Sequence, residues 1–167
     1  MAKLPKDPEN WLSEHLVYER WMLDYTYSRL GTDAATPLWF AMFESFAVHA
    51  RNLYDFVRGG DGNVQASAFI GPTYAKPEGV MGETVRQFSP HVLHMGDARA
   101  TTSDAKANSE DASAIYAWLR KQLDAFDAQL DGRYPMYTQR LSKVIKPAQP
   151  VIVGPPSATN IITILGD

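Results

Sequence analysis

Along most of this chain apolar residues recur every three to four positions, the spacing of helices that bury one face. The clearest run is TPLWFAMFESFAVHARNLYDFVRGG, residues 36–60. Thr36 followed by Pro37 predicts its start: a hydroxyl that caps an orphan N–H, then a residue with no N–H to leave unpaired. Gly59 and Gly60 predict its end, because glycine takes the left-handed conformation without a Cβ penalty. Between them Trp39, Met42, Phe43, Phe46, Ala50, Leu53 and Val57 fall on one broad arc. Glu44, Arg51 and Asp55 stack on the opposite arc, and His49 sits at the border beside Leu53 and Phe56. The pattern predicts the central helix of a bundle, carrying a polar row that needs a reason.

The same period predicts the neighbours. A first helix begins at Asp7-Pro8, runs through Trp11, Leu12, Leu16, Tyr18, Trp21, Met22, Tyr25 and Leu30, and stops at Gly31. Its many aromatic rings are expected to pack tightly along the central helix, antiparallel to it across a short loop. Residues 59–79 hold five glycines and two prolines, which predicts a long loop that Phe69, Ile70 and Tyr74 pin to the bundle. From about Pro77 to Met95 a third helix places Met81, Val85, Phe88, Val92 and Met95 on one face, with Pro90 either kinking it or opening a new turn after Ser89. A polar loop follows, and then a helix from Asn108 or Ser109, with Ile115, Leu119, Leu123, Phe126 and Leu130 at helical spacing up to Asp131-Gly132. A short helix after Pro135 carries Tyr137, Leu141, Val144 and Ile145.

After Pro147 the pattern changes. Residues 148–167 hold three prolines and two β-branched runs, which excludes helix and favours extended chain. Such a tail either straps the apolar surface of its own bundle or docks on another subunit. The expected fold class is therefore all-α: an antiparallel bundle of about four to five helices over residues 1–147, with an extended proline-containing tail over 148–167.

Composition narrows the setting. The chain of 167 residues suits one domain, and its 45% hydrophobic and 21% charged residues are those of a globular protein. A net charge of −3 argues against non-specific DNA binding, which needs a basic surface. The chain has no cysteine, which excludes disulfides, thiolate zinc sites and cysteine nucleophiles and fits a cytoplasmic protein. No run of 18 apolar residues is present, so no membrane span is expected, and the first residues lack the apolar segment of a signal peptide.

Three constellations could carry chemistry. His91 and His94, three apart, share a side on an unbroken helix, yet two histidines leave a metal ligand set incomplete, so no metal and no cofactor is expected. Arg86 and His91 form an arginine, four residues, then a histidine. Such a pair suits RNA cleavage, the histidine exchanging a proton and the arginine holding the phosphate. On a straight helix, however, the two diverge by about 140°. The third is the row Glu44, Arg51, Asp55, either a solvated face or a layer that meets His91 and His94 of the third helix.

The string ESFAVHARNLYDF, followed by SPHVLHMGDAR and an IYAWL helix, resembles a family of small uncharacterised bacterial all-helical proteins. The residues that carry the resemblance are Glu44, Ser45, Phe46, His49, Arg51, Leu53, Asp55 and Phe56, then His94 and Arg99, then Trp118. It spans about residues 36–130, and Ser89-Pro90 departs from that family's Asn-Lys pair. The family is in turn distantly similar to HEPN domains, helical bundles used as RNases in toxin–antitoxin and phage-defence systems. The resemblance implies a homodimer directed at RNA, with a site drawn from His94, Arg51, Glu44, His91, Arg86, His49 and Asp55. The alternative is a non-catalytic interaction protein, its polar row a structural network and its tail or 59–79 loop a partner-binding segment.

Overall fold

A computed structural model describes residues 3–31, 36–60, 64–78, 85 and 109–144, and these are helical with no strand among them. Helix α1 (Pro8–Trp11) opens where expected: the Asp7 carboxylate accepts from the Asn10 N–H at 3.1 Å, with Pro8 in the first turn. It passes through a π-helical turn, Leu12–Leu16, into α2 (Val17–Arg29). The wider turn lets Leu12, Ser13 and Leu16 all be buried, which the 3.6-residue period does not anticipate.

Helix α3 (Pro37–Arg58) has the predicted ends. Thr36 Oγ1 accepts from the Trp39 N–H at 3.1 Å, and Gly59 closes the helix at φ 82° while its N–H returns to the Asp55 carbonyl. Phe43, Phe46, Ala47, Ala50, Leu53, Phe56 and Val57 are buried, and Trp39 and Met42 flank them half-buried. Helix α3 packs on α2 as its antiparallel neighbour and on α5 (Ser109–Leu130), whose Ile115, Leu119, Leu123, Phe126 and Leu130 fill the other side of the core. Phe126 meets Phe56 edge to face at 5.1 Å between centroids, an arrangement favoured by the ring quadrupoles.

The segment after α3 is less irregular than its composition predicts. Residues Ala66–Ile70 form a short helix, α4, that buries Ala66 and Phe69 between Trp11, Phe56 and Phe126. Tyr74 then donates to the Val57 carbonyl at 2.7 Å, and burial pushes its pKa up to about 12. Phe69 and Tyr74 thus pin this stretch as expected. Pro77 and Glu78, expected to open the third helix, lie outside any helix, and Arg58 donates to the Pro77 carbonyl; beyond them only Val85 of the stretch up to Met95 is among the described residues. Val85, expected on that helix's apolar face, is buried.

Helix α6 (Pro135–Val144) crosses α1 and the π turn, seating Tyr137 in the core. Asp131 at φ 49° and Gly132 at φ 69° make the reversal before it. Its Arg140 reaches Glu14, and the Glu9 carboxylate accepts from the Met136 N–H at 2.8 Å near the start of α6. The all-α bundle is as predicted. The tail, residues 148–167, lies outside the described residues.

Candidate functional site

Two groups of polar side chains are organised by the packing. The first lies in the seam where α2 meets α5 and α6. Arg20 is 2% exposed, and its Nη1 donates to Asp127 at 2.7 Å and to the Tyr137 hydroxyl at 2.8 Å. Tyr137 in turn donates to the other oxygen of Asp127 at 2.7 Å, closing a ring of three partners, with Asp124 at 3.6 Å from Nη2. Burial alone would lower the guanidinium's pKa, but Tyr137 and Asp127 outweigh it and leave it raised. One turn along, Asp24 accepts from Tyr116 at 2.9 Å and from Arg120 at 3.1 Å. Burial raises the Asp24 carboxyl, and Arg120 and Tyr116 pull it back only in part. The Arg20 Nε has no hydrogen-bond partner among the described residues.

This seam is an interior lock. Arg20 and Asp24 sit where solvation is weak, so each needs partners, and these come from α5 and α6. Sequence reasoning did not nominate it. The available signal was position: Arg20 and Asp24 stand four apart on the face that also carries Leu16 and Leu23, which should have been apolar.

The second group joins α2 to α3 at the surface. His49 is largely buried, and its Nδ1 lies 2.7 Å from Glu19 Oε2. A carboxylate only accepts, so Nδ1 carries the hydrogen and the proton-exchanging position is Nε2. Asn52 donates to both Glu19 oxygens at 3.3 Å, and Tyr18 packs edge-on to the imidazole at 5.7 Å. This is a histidine oriented by a carboxylate, an arrangement that can fix a general acid–base or clamp two helices.

From Tyr18 an aromatic row continues outward along α2. Tyr18, Trp21 and Tyr25 are 49, 44 and 42% exposed, with ring centroids 6.5 and 6.0 Å apart in sequence, and the Arg29 guanidinium lies 5.3 Å over the Tyr25 ring. Helix α2 does pack along α3 as expected, but not every ring takes part in the core. Trp11 and Tyr27 pack against the core, whereas Tyr18, Trp21 and Tyr25 stay a little under half exposed, Tyr18 with one side against His49 of α3.

The residues nominated from sequence are placed unevenly. Glu44 and Arg51 are exposed on the outer face of α3, and Arg51 meets Asp55 at 3.9 Å as an i,i+4 pair. Burial raises the half-buried Asp55 carboxyl, partly offset by Arg51. His49 is not part of that row. It leaves α3 about 160° away from Arg51 and joins Glu19 instead. Arg86, His91 and His94 lie outside the described residues, so the expected layer between them and the α3 row does too. Among the described residues no group of three metal-ligating side chains converges, and no helix is long and apolar enough to cross a membrane. Compared with known proteins, the chain matches no family model, no curated protein and no solved structure.

Proposed function

We propose that this chain is an interaction protein, a HEPN-like helical bundle that works in the cytoplasm through the outward aromatic row of α2. The observation that carries the reading is the unbroken exposure of Tyr18, Trp21 and Tyr25, each touching the next. Aromatic side chains are enriched in protein interfaces because a rigid ring brings large contact area at little entropic cost. The polar groups have roles that need no reaction: Arg20 and Asp24 hold α2 to α5 and α6, and His49 with Glu19 holds α2 to α3.

The test is a photo-crosslinking residue placed at position 21 of the full chain in cells, with one at exposed Lys121 on α5 as control. Discrete adducts from position 21 and none from 121 are expected. No adduct at 21 would remove the aromatic row as a docking surface.

A second reading is favoured by the Glu19–His49–Asn52 cluster. In it the protein is directed at RNA, with His49 as a proton-exchanging group held by Glu19, together with His94 from the narrower family resemblance or Arg86 and His91 from the spacing of the wider one. Purified protein that cleaves RNA, with cleavage lost in His49→Ala and in the His91→Ala/His94→Ala variant, would favour this reading over the first. Cleavage that persists in both would exclude these histidines.

A further inference from the structure

We infer that the first occupant of the aromatic row on α2 is the chain's own segment 147–153, laid along it in extended form; this rests on the reading of that row as a docking surface. The segment has the composition of a polyproline ligand. Lys146-Pro147-Ala148-Gln149-Pro150 sets two prolines three apart, and Val151-Ile152-Val153 follows. Proline fixes φ near that of the polyproline II helix, in which residues three apart share one edge. Extended proline segments dock on exposed aromatic rings because they are stiff beforehand and lose little entropy on binding. Tyr18, Trp21 and Tyr25 are such rings, each touching the next. Pro147 and Pro150 would stand about 9 Å apart, within the about 11 Å between positions 18 and 25 along α2.

The fold delivers the segment to that place. Helix α6 packs on the π turn and on α2, and its contacts advance with the chain that it faces. Met136 meets Glu9 near the start of α6, and Arg140, one turn on, meets Glu14. Tyr18, where the row begins, is four residues beyond Glu14, and Val144, where α6 ends, is four residues beyond Arg140. The same advance therefore brings the end of α6 towards the start of the row. Pro147 and Pro150 follow Val144 by three and six residues, a reach of about 9 and 19 Å in polyproline II, enough to pass along all three rings.

The tether decides the occupant. Three rings a little under half exposed offer about 300 Å², since a buried aromatic covers about 150–250 Å². That is well below the ~800 Å² per partner of a standard interface, so a molecule arriving from solution gains little there. A segment joined to the fold through a few residues is instead present at an effective concentration of about millimolar, which populates a contact too weak to form between separate molecules. Any other partner of the row must then displace residues 147–153 in order to dock.

A photo-crosslinking residue in place of Gln149 of the purified full chain tests this, with adducts mapped by mass spectrometry in a mixture of isotopically heavy and light copies. Links from position 149 to residues 14–29 of the same copy are expected. Their yield should fall more than about fivefold in Trp21→Glu and in the combined Tyr18→Ser/Tyr25→Ser chain, with circular dichroism unchanged. It should fall about threefold in Pro147→Gly/Pro150→Gly, which keeps the length of the segment and removes its stiffness. The inference is overturned by the absence of links to α2, by links between copies alone, or by a yield indifferent to the Trp21 and tyrosine variants. The crosslinking at position 21 in cells separates this failure from that of the wider reading. Adducts there to another protein, when position 149 gives no link to α2, remove residues 147–153 and keep the docking surface. No adduct from position 21 and no link from position 149 remove both.

Discussion

In the seam between α2 and α5, Arg20 meets Asp127 at 2.7 Å with 3% of its side chain exposed; on the outer row of α3, Arg51 meets Asp55 at 3.9 Å with 47% exposed. Both pairs are an arginine and an aspartate, and position in the fold makes them different interactions. Water screens the outer pair to a few tenths of a kcal/mol. The inner arginine has lost its water while Asp127 keeps part of its own at 27% exposed, so the Arg20 charge depends on Asp127 and on Tyr137, and removing a partner strands it. The seam therefore constrains which helices can pack together, whereas the row constrains almost nothing about the fold.

Five substitutions test that contrast. The largest effect is expected from Arg20→Ala, which should lower the unfolding free energy in denaturant by about 3 kcal/mol, the low end for a broken buried pair, by leaving buried Tyr137 and partly exposed Asp127 without the cation. A loss under about 1 kcal/mol would mean that the seam relaxes enough to admit water. Next is Tyr137→Phe, which removes one hydroxyl from the ring of three partners and should cost about 1–3 kcal/mol by the same measurement. Its isosteric ring keeps the packing, so a loss beyond that of Arg20→Ala would point to rearrangement of α6 instead.

A smaller and pH-dependent effect belongs to Asp24. Its carboxyl holds its proton more tightly folded than the 3.8 of the free side chain, mainly through burial. The protonated group therefore contributes stability below about pH 4, and that contribution is lost as pH rises through the folded value. Denaturation midpoints between about pH 3.5 and 6.5 should fall for the wild type relative to Asp24→Asn, which has no such proton. Asp55 is shifted in the same direction, so Asp55→Asn measures the outer row's share. Equal slopes in wild type and Asp24→Asn would remove the seam from the pH response. The smallest effect is Arg51→Ala, expected within about 0.5 kcal/mol of wild type, because only an exposed 3.9 Å pair is lost. A cost above about 1.5 kcal/mol there would show that the row is covered by other parts of the chain.

The helices whose ends carry local chemistry are legible in the sequence. Asp7-Pro8, Thr36-Pro37 and Gly59 state where backbone N–H and carbonyl groups run out of partners, and such signals act within four residues. The core faces of α3 and α5 are legible there too, since a 3.6-residue period marks which side is apolar. The short helix Ala66–Ile70 and the π turn at Leu12–Leu16 are not, because both depend on what packs around them.

The partners of each side chain come from the packing of the helices. Periodicity says that a face is buried but not against what. Glu19 lies 30 residues from His49, and Arg20 lies 107 from Asp127 and 117 from Tyr137, distances over which no local rule pairs side chains. The row Glu44, Arg51, Asp55 drew notice because its charges stand together in sequence, yet Glu44 and Arg51 face water. Arg20 and Asp24 drew none, although they are the charges that the fold takes inside. What separates the two cases is desolvation, which depends on the helices closing over a side chain and so on no short stretch of the chain.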